Sequence, residues 1–373
     1  MASAKPARRS VAEISASRAR PQNRFEDATA VYGIPNWGKG FFHVSDEGEL
    51  LVRPTREAHR AVALKQIVDD VALRGITAPM VLRFPQILSE SVRSLNDAFA
   101  RAIDEFEYQN VFRGVFPIKV NQKRVVVQQI IEAGRPYNYG LEAGSKPELL
   151  AAIAADLGPE CLITCNGYKD DPFIGMALNA VRMKKKVVLI LEKVSELDRI
   201  LSVAKARGVR PLLGMRAKLY ARGSGKWAKS GGEAAKFGLT TPEMLEAVKI
   251  LKSRRMLDAM VMLHFHIGSQ ITDIRKIKNA IREAGRVYAK LRGMGVPILY
   301  LNLGGGLGVD YDGSKTAFES SMNYSTQEYA NDVVYTIKQI CEEEQVPVPT
   351  LVTESGRAVT AFHSVLIANV LDV

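Results

Sequence analysis

The sequence predicts an α/β fold in the form of a closed (β/α)8 barrel, and two observations support this prediction. Short apolar runs rich in Val, Ile and Leu alternate with stretches of helical periodicity, and there are eight such runs. Strands that are apolar along their whole length are typical of parallel sheets, which are covered on both faces. The span of residues 89–357 also suits the ~250 residues usual for such a barrel. An open, doubly wound sheet is the alternative.

The elements are predicted in chain order. The strands are expected at Val111–Val120, Tyr137–Ala143, Cys161–Gly167, Val187–Glu192, Arg210–Ala217, Met260–Ser269, Ile298–Gly306 and Thr350–Arg357. Helices between them are expected at Lys123–Ala133, Lys146–Leu157, Glu196–Ala206, Pro242–Leu251, Ile274–Leu291 and Thr326–Glu343. Ahead of the barrel, residues 26–88 form an N-terminal segment that is aromatic at first and then contains a helix at Glu57–Arg74.

Composition narrows the class of protein. The chain has 373 residues, of which 47% are hydrophobic, and no apolar run reaches the ~20 residues needed to span a bilayer. Residues 1–24 lack the apolar middle of a signal peptide, so we expect a cytoplasmic protein without a membrane partner. Cys161, Cys165 and Cys341 are too few and too poorly spaced for a disulfide framework or a zinc site. We expect core positions for Cys161 and Cys165.

The net charge of +11 arises from 51 basic and 40 acidic residues. Part of the excess lies in residues 1–25, a tail rich in Ser, Ala and Arg that is expected to be disordered. The rest is spread out without the signature of a nucleic-acid-binding protein. Anionic small molecules, phosphates especially, are therefore the favoured partners, and a solvated basic surface is the alternative.

Polar residues end the predicted strands. Charged groups at the ends of apolar strands are costly unless they are paired or hydrogen-bonded, and barrel enzymes gather their chemistry at the carboxyl ends of the strands. One or two such residues could be ion pairs that plug the barrel, but a polar residue at every strand end predicts a site. The residues concerned are Lys119, Glu142, Asn166, Glu192, Arg216, His266 with Ser269, Gly304–Gly306, and Glu354 with Arg357.

Lys119 ends the first strand among apolar neighbours. Desolvation there is expected to lower the pKa of its amine and to make it a nucleophile toward a carbonyl group. A lysine that merely reaches the rim of the barrel is the alternative.

The glycines Gly304–Gly306 end the seventh strand. Consecutive glycines let the backbone approach an anion and direct N–H groups at it, and barrel enzymes often bind phosphate with the loops after strands seven and eight. A tight structural turn is the alternative. The glycines occur too late in the chain for a dinucleotide-binding motif.

His264 and His266 end the sixth strand and would share a face, so a metal-binding pair must be considered. The sixth strand is an unusual place for such a pair, and we predict no metal site among these residues. An imidazole of His266 that lies against a flat cofactor ring is favoured instead.

Glu354, Gly356 and Arg357 end the eighth strand. If a cofactor with a pyridine ring were bound, the Glu354 carboxylate facing its nitrogen would keep that nitrogen protonated. Gly356 N–H and Arg357 could help to hold a phosphate. A structural pair of Glu354 and Arg357 is the alternative.

Several long motifs, in order, resemble the fold-type III pyridoxal-phosphate decarboxylases, which share the alanine racemase barrel. The likeness is closest to their biosynthetic arginine decarboxylase branch. The motifs are Tyr32–Phe42, Gly114–Gln122, Tyr139–Leu149, Thr164–Asp170, Lys236–Gly238, His264–Gln270, Gly304–Asp310 and Glu354–Arg357.

This resemblance implies decarboxylation of a basic L-amino acid, arginine to agmatine and CO2, as a step toward putrescine and spermidine. It implies pyridoxal 5′-phosphate as the cofactor, with Mg2+ as a further candidate on the resemblance alone. Catalytic roles fall to Lys119, which forms the Schiff base, to His266, which stacks on the ring, and to Glu354, which pairs with the ring nitrogen. Phosphate binding falls to Ser269, Gly304, Gly305, Gly306, Gly356 and Arg357, and supporting roles fall to Glu142 and Arg216.

The family also has a C-terminal β-rich domain that completes the partner's active site in a dimer. It supplies the acid that protonates Cα, commonly a cysteine, and the acidic groups that bind the distal cation of the substrate. The resemblance implies that residues 26–88 pack with that domain, that residues 358–373 are its first strand, and that the protein is a homodimer or a higher homo-oligomer. We therefore expect these residues to bind the cofactor but not to turn substrate over alone.

Other functions stay open at this point. The same barrel and lysine serve diaminopimelate, ornithine and lysine decarboxylases and amino-acid racemases. A non-catalytic homologue that binds the cofactor and a metal-dependent barrel hydrolase are further alternatives.

Overall fold

The structure is a computed structural model that describes residues 29–220 and 237–372. The predicted basic tail, residues 1–25, lies outside these ranges, and so do Lys236 and Val373. The chain divides into two units, the first ending at Ala78 and the second beginning at Pro79. The second unit begins ahead of residue 89, where the barrel was predicted to start, because helix Pro85–Glu105 buries an apolar face in the barrel core.

The first unit contains a small antiparallel sheet. Its elements are helix α1 (Ile34–Trp37), strands β1 (Phe42–Val44), β2 (Leu50–Val52) and β3 (Val62–Ala63), and helix α2 (Leu64–Ala72). The predicted helix Glu57–Arg74 is therefore wrong in its first half. Val62 pairs with Val52 across the sheet, and the extended backbone of Ala63 delays the start of the helix to Leu64.

The second unit is the predicted barrel, closed by eight parallel strands in the order β5 to β12 with β12 beside β5. It is preceded by β4 (Met80–Arg83). The barrel strands are β5 (Phe112–Pro117), β6 (Gly140–Ala143), β7 (Leu162–Cys165), β8 (Lys186–Leu191), β9 (Leu212–Arg216), β10 (Met260–His264), β11 (Tyr300–Asn302) and β12 (Thr350–Thr353). The closed barrel is confirmed and the open sheet is wrong.

Several strands end earlier than predicted, and the backbone shows why. The run Met260–Ser269 yields a strand that stops at His264, and Ile298–Gly306 yields one that stops at Asn302. Gly268 and Gly304 have φ values of +128° and +66°, which an extended strand cannot accommodate. The polar ends of the predicted strands are therefore loops, and their side chains surround the mouth of the barrel.

The helices surround the barrel. They are α3 (Pro85–Glu105), α4 (Arg124–Gly134), α5 (Lys146–Ala154), α6 (Asp171–Arg182), α7 (Ser195–Arg207), α8 (Thr241–Ser253), α9 (Ile274–Gly293), α10 (Thr326–Glu343) and α11 (Gly356–Thr360). All six helices predicted between the strands are present, and α10 has the predicted bounds. Two longer helices, α3 and α6, were not predicted. Asp170 caps α6 by accepting a hydrogen bond from Phe173 N–H at 2.9 Å.

Two apolar layers form the core. One lies between the strands and helices and includes Cys165 and Cys341, and the other fills the inside of the barrel. All three cysteines are buried, which confirms the core positions predicted for Cys161 and Cys165. Within the predicted terminal strand, β13 (Ser364–Ile367) pairs antiparallel with β4. None of the helices in the described ranges is both long and apolar enough to cross a bilayer.

Candidate active site

The carboxyl ends of the barrel strands enclose two adjoining cavities of about 590 and 430 Å³. Lys119, His266, Gly268 and Ser269 line both of them. Every site residue predicted from the sequence except Gly304 lines at least one cavity. Glu142 and Arg216 line the first, and Gly305, Gly306, Glu354, Gly356 and Arg357 line the second. The barrel topology therefore brings together residues that are more than two hundred positions apart.

Lys119 lies in a short 3-10 turn, Ile118–Val120, directly after β5. Its Nζ is 3.1 Å from Glu142 Oε2, and 52% of its side chain is exposed. The expectation of a lowered pKa is wrong. Burial does lower the pKa of this amine, but the carboxylates of Glu142 and Glu354 outweigh it, so the pKa lies above its ordinary value. The amine is therefore a cation held beside a carboxylate.

Glu142 is the last residue but one of β6 and is fully buried beside Lys119. Burial raises the pKa of its carboxyl group from 4.5 to about 7, helped by the charge of Glu354 and opposed by Lys119. Apart from the ion pair with Lys119, its oxygens accept no hydrogen bond from the described residues. Glu142 can therefore hold or release a proton near neutral pH, next to the amine.

Glu354 follows β12, and its buried carboxylate is held by two side-chain amides. Asn302 Nδ2 donates to its Oε1 at 2.9 Å, and Asn166 Nδ2 lies 3.2 Å from both oxygens. Burial raises the pKa of Glu354, but His264, Lys119 and the Asn302 hydrogen bond together bring it below its ordinary value. The predicted alternative, a structural pair of Glu354 with Arg357, is not seen, because side-chain amides hold the carboxylate.

The two histidines have different surroundings. His264 is 1% exposed, and its Nδ1 is 3.9 Å from Glu354 Oε1. His266 is on the cavity wall, where its Nδ1 accepts a hydrogen bond from Gly268 N–H at 3.0 Å. Burial lowers the pKa of both rings, that of His266 to about 3. His266 is therefore neutral, with its proton on Nε2. No group of three or more His, Cys, Asp or Glu suited to a metal ion occurs in the described residues.

The glycine run turns sharply at the end of β11. Gly304 N–H donates to Asn302 Oδ1 at 2.9 Å, and Gly356 N–H donates to Glu354 O at 2.9 Å. Both of these predicted phosphate donors are thus engaged within the protein. Within the described ranges, Gly305 and Gly306 N–H donate no hydrogen bond and border the second cavity.

Arg357 also lines the second cavity. Its Nε and Nη2 donate to Ser269 Oγ at 3.3 and 3.1 Å, and its Nη1 donates to Tyr311 Oη at 3.0 Å. Ser269, Tyr311 and Arg357 therefore present two hydroxyl groups and a guanidinium group to the second cavity. This set of donors suits a phosphate.

Arg216 ends β9 and lines the first cavity. Its Nη1 is 2.9 Å from Glu192 Oε1, and its guanidinium lies 5.8 Å from the centre of the Phe237 ring. The arginine therefore has both an acidic partner and an aromatic neighbour at the cavity wall.

Sequence reasoning missed two residues of the site, Asn302 and Tyr311, and considered His264 only as a metal ligand. Asn302 and His264 are the last residues of the apolar strands β11 and β10, and a buried polar residue at such a position is a signal that could have identified their role. Tyr311 follows the glycine run in a loop, and nothing in its sequence context marks it.

Known proteins resemble this chain in both sequence and fold. Residues 92–361 match the family described as pyridoxal-dependent decarboxylase, pyridoxal binding domain. The chain is 54% identical over 347 residues to the biosynthetic arginine decarboxylase of Deinococcus radiodurans and 52% identical over 347 residues to that of Rhodopirellula baltica. In both cases the match covers 93% of this chain and 52% of the relative. The chain thus spans about half the length of these curated relatives.

A solved structure is also similar. The crystal structure of the biosynthetic arginine decarboxylase from Campylobacter jejuni superimposes with a TM-score of 0.81 at 38% identity. The match covers 89% of this chain and 54% of that one.

Proposed function

Because the chain belongs to the pyridoxal-dependent decarboxylase family, we propose that it binds pyridoxal 5′-phosphate at the strand ends and serves the decarboxylation of L-arginine. Agmatine and CO2 would be the products, and agmatine would be used for putrescine and spermidine synthesis. The arginine assignment is supported by the two arginine decarboxylases that are 54 and 52% identical to this chain over 347 aligned residues. Homo-oligomerisation, a cytoplasmic location and any use of Mg2+ remain predictions from the sequence.

One observation carries the cofactor proposal. The amine of Lys119, from the end of β5, and the carboxylate of Glu354, from the end of β12, line one cavity. β5 and β12 are neighbours in the barrel, where Leu351 pairs with Phe112. A lysine amine that can pass its proton to the neighbouring carboxylate of Glu142, and an ionised carboxylate that faces the same space, are what a pyridine aldehyde requires at its two ends.

The residues present fit this cofactor. A Cβ atom at Gly305 would lie 2.9 Å from Glu354 O and 3.3 Å from His266 Nε2, so glycine keeps open the space between the imidazole and the strand end. Gly306 has a φ of +112°, and a Cβ there would lie 2.9 Å from Gly268 O. Only glycine suits these positions, and the result is a gap beside the neutral ring of His266.

When bound, pyridoxal phosphate supplies a protonated ring that accepts the electron pair left when CO2 departs from the substrate. Glu354 would hold that proton on the ring nitrogen, because its carboxylate remains ionised. Lys119 would bind the aldehyde carbon, and His266 would lie against the ring face. Glu142, with a pKa of about 7, would exchange a proton with the Lys119 amine.

The phosphate would be bound by Ser269, Arg357 and the N–H groups of Gly305 and Gly306. Tyr311 would orient Arg357 through their 3.0 Å hydrogen bond. Arg216, held by Glu192, would support the cofactor from the wall of the first cavity. These assignments add Tyr311 to the set predicted from the sequence and leave Gly304 and Gly356 as residues that shape the backbone.

The test is an absorbance titration with pyridoxal phosphate. The wild-type protein should gain the visible band of a cofactor condensed with a lysine, and Lys119→Ala should not. Lys123→Ala is the matched control, because Lys123 is exposed four residues away and should leave the band intact. An equal band in Lys119→Ala would refute the assignment. Incubating the longest available form of the protein with L-arginine then separates the activities. CO2 release supports the decarboxylase, and D-arginine would indicate a racemase.

A further inference from the structure

Lys169 is a buried cation that the proposed function does not use. It lies between the end of β7 and the start of α6, and its side chain is 0% exposed. Removing an ammonium group from water costs several kcal/mol unless it is paired and hydrogen-bonded. The partners of the Lys169 ammonium group therefore fix its position, and the ammonium group fixes the positions of those partners.

The partners of Lys169 are a backbone carbonyl and a carboxylate. Its Nζ donates to Gly167 O at 2.7 Å and lies 3.5 Å from Glu196 Oε2. The same oxygen of Glu196 accepts a hydrogen bond from Glu192 N–H at 2.9 Å. The buried ion pair thus ties the loop after β7 to the first turn of α7, and Glu196 in turn holds the loop after β8.

Gly167 is held from a second side as well. Its N–H donates to Glu192 Oε1 at 3.4 Å, the oxygen that also binds Arg216. Its φ is +74°, and an added Cβ would lie 2.6 Å from Gly144 O. One glycine in a left-handed conformation therefore has its carbonyl bound by Lys169 and its N–H bound by Glu192.

The residue before Gly167 is Asn166, whose side-chain amide lies 3.2 Å from both oxygens of Glu354. Asn166 lies beyond the last residue of β7, so the sheet does not fix its backbone. We infer that Lys169 is a positioning residue of the cofactor site. By holding Gly167 it places Asn166 against Glu354, the carboxylate proposed to face the ring nitrogen. A purely structural role, in which Lys169 only joins the two loops, is the competing explanation.

The inference rests on the proposed function, since its main measurement is the affinity for pyridoxal phosphate. The test variant is Lys169→Met combined with Glu196→Gln. It replaces the ion pair by neutral side chains of similar length and keeps an oxygen that can accept from Glu192 N–H. Lys185→Met is the matched control, because Lys185 Nζ donates to Ala155 O at 3.1 Å at the opposite ends of the strands.

The dissociation constant of pyridoxal phosphate should rise about tenfold in the double variant, which is the size usual for coupled neighbours, and should not change in Lys185→Met. Asn166→Ala should have a similar effect alone. Adding it to the double variant should weaken binding little further, because both changes remove the same contact with Glu354. An unchanged affinity with a lower thermal midpoint, or effects that multiply to about a hundredfold, would overturn the inference.

Gly167→Ala tests whether the backbone of Gly167 places Asn166, and it leaves both side chains of the Lys169–Glu196 ion pair unchanged. It is the variant to use if the double variant does not fold. The added Cβ would displace the peptide from Gly144, so affinity should again fall about tenfold and again fail to multiply with Asn166→Ala. Unchanged affinity in this variant would also overturn the inference. If wild-type protein shows no saturable cofactor band, the proposed function itself fails. If it binds and these variants bind equally well, only the role of Lys169 fails.

Discussion

Two layers inside the barrel differ sharply although three strands, β7, β10 and β12, contribute to both. The lower layer is entirely apolar and consists of Val115, Leu162, Val188, Ile190, Val261, Met262 and Val352. The upper layer, at the carboxyl ends, is polar and equally buried, and its members are Glu142, Thr164, Asn166, His264, Asn302, Thr353 and Glu354. Burial alone therefore does not distinguish the two layers.

The difference lies in how well their atoms are satisfied. Dispersion contacts and apolar burial stabilise the lower layer. In the upper layer, Thr164 Oγ1, Asn166 Oδ1 and His264 Nδ1 are buried without a hydrogen-bond partner in the described residues. Each such atom costs about 1–3 kcal/mol. The barrel thus divides its tasks: the apolar lower layer stabilises the fold, and the upper layer carries the polar groups of the proposed site.

The strongest test of this division is a cavity in the lower layer. Ile190→Ala should lower the free energy of unfolding by about 2–5 kcal/mol, because a fully buried side chain is lost from a close-packed core. Chemical denaturation measures the loss. Ile190→Val should cost about 0.5–1.5 kcal/mol. Cofactor affinity of the folded fraction should stay within about twofold, and a larger change would show that the layers are not independent.

The upper layer should make stability depend on pH through Glu142. Its unfolded carboxyl loses its proton near 4.5, whereas the folded one keeps it to about 7. Between these values the folded state binds more protons, so the stability of the cofactor-free protein should decline as pH rises, by about 3 kcal/mol at most. Glu142→Gln should flatten this decline in denaturation curves measured from pH 4.5 to pH 7.5. An unchanged slope would mean that Glu142 is ionised throughout.

A polar residue of the upper layer should affect binding more than stability. Asn166→Ala removes a donor to Glu354 together with the unsatisfied Asn166 Oδ1. We expect the dissociation constant of pyridoxal phosphate to rise about tenfold, or about 1.4 kcal/mol, with a smaller loss of unfolding free energy. Calorimetric titration and denaturation of the same sample measure the two effects. A larger effect on stability than on binding would contradict the division.

The smallest effect is expected far from both layers. Lys290 and Glu344 form an ion pair of 2.8 Å on the helical surface, and the lysine side chain is 71% exposed. Such pairs contribute less than about 1 kcal/mol because water and salt screen them. Lys290→Ala should therefore change neither cofactor affinity nor the unfolding free energy beyond this bound. It sets the baseline against which the other variants are compared.

The sequence predicted the fold best where the pattern of apolar residues in a short segment matches the place of that segment in the barrel. The apolar runs predicted all eight barrel strands, and the residues that end them predicted the surroundings of the site, including Lys119 and Glu354. Strand ends were predicted too long wherever a loop continued the apolar pattern, as it does from Phe265 to Ile267. Helix α6 was missed although Asp170 and Pro172 mark its start.

The sequence by itself determined the order of the elements, the barrel and which residue types occur at the strand ends, because periodicity and burial are properties of short segments. Tertiary structure alone decided the charge states. Lys119 was expected to have a lowered pKa, and three-dimensional proximity to Glu142 and Glu354 raises it instead. The amides that hold Glu354 come from β11 and from the loop after β7, and no local pattern links them. Electrostatic energy depends on distance through space, which the chain fixes only when the barrel closes.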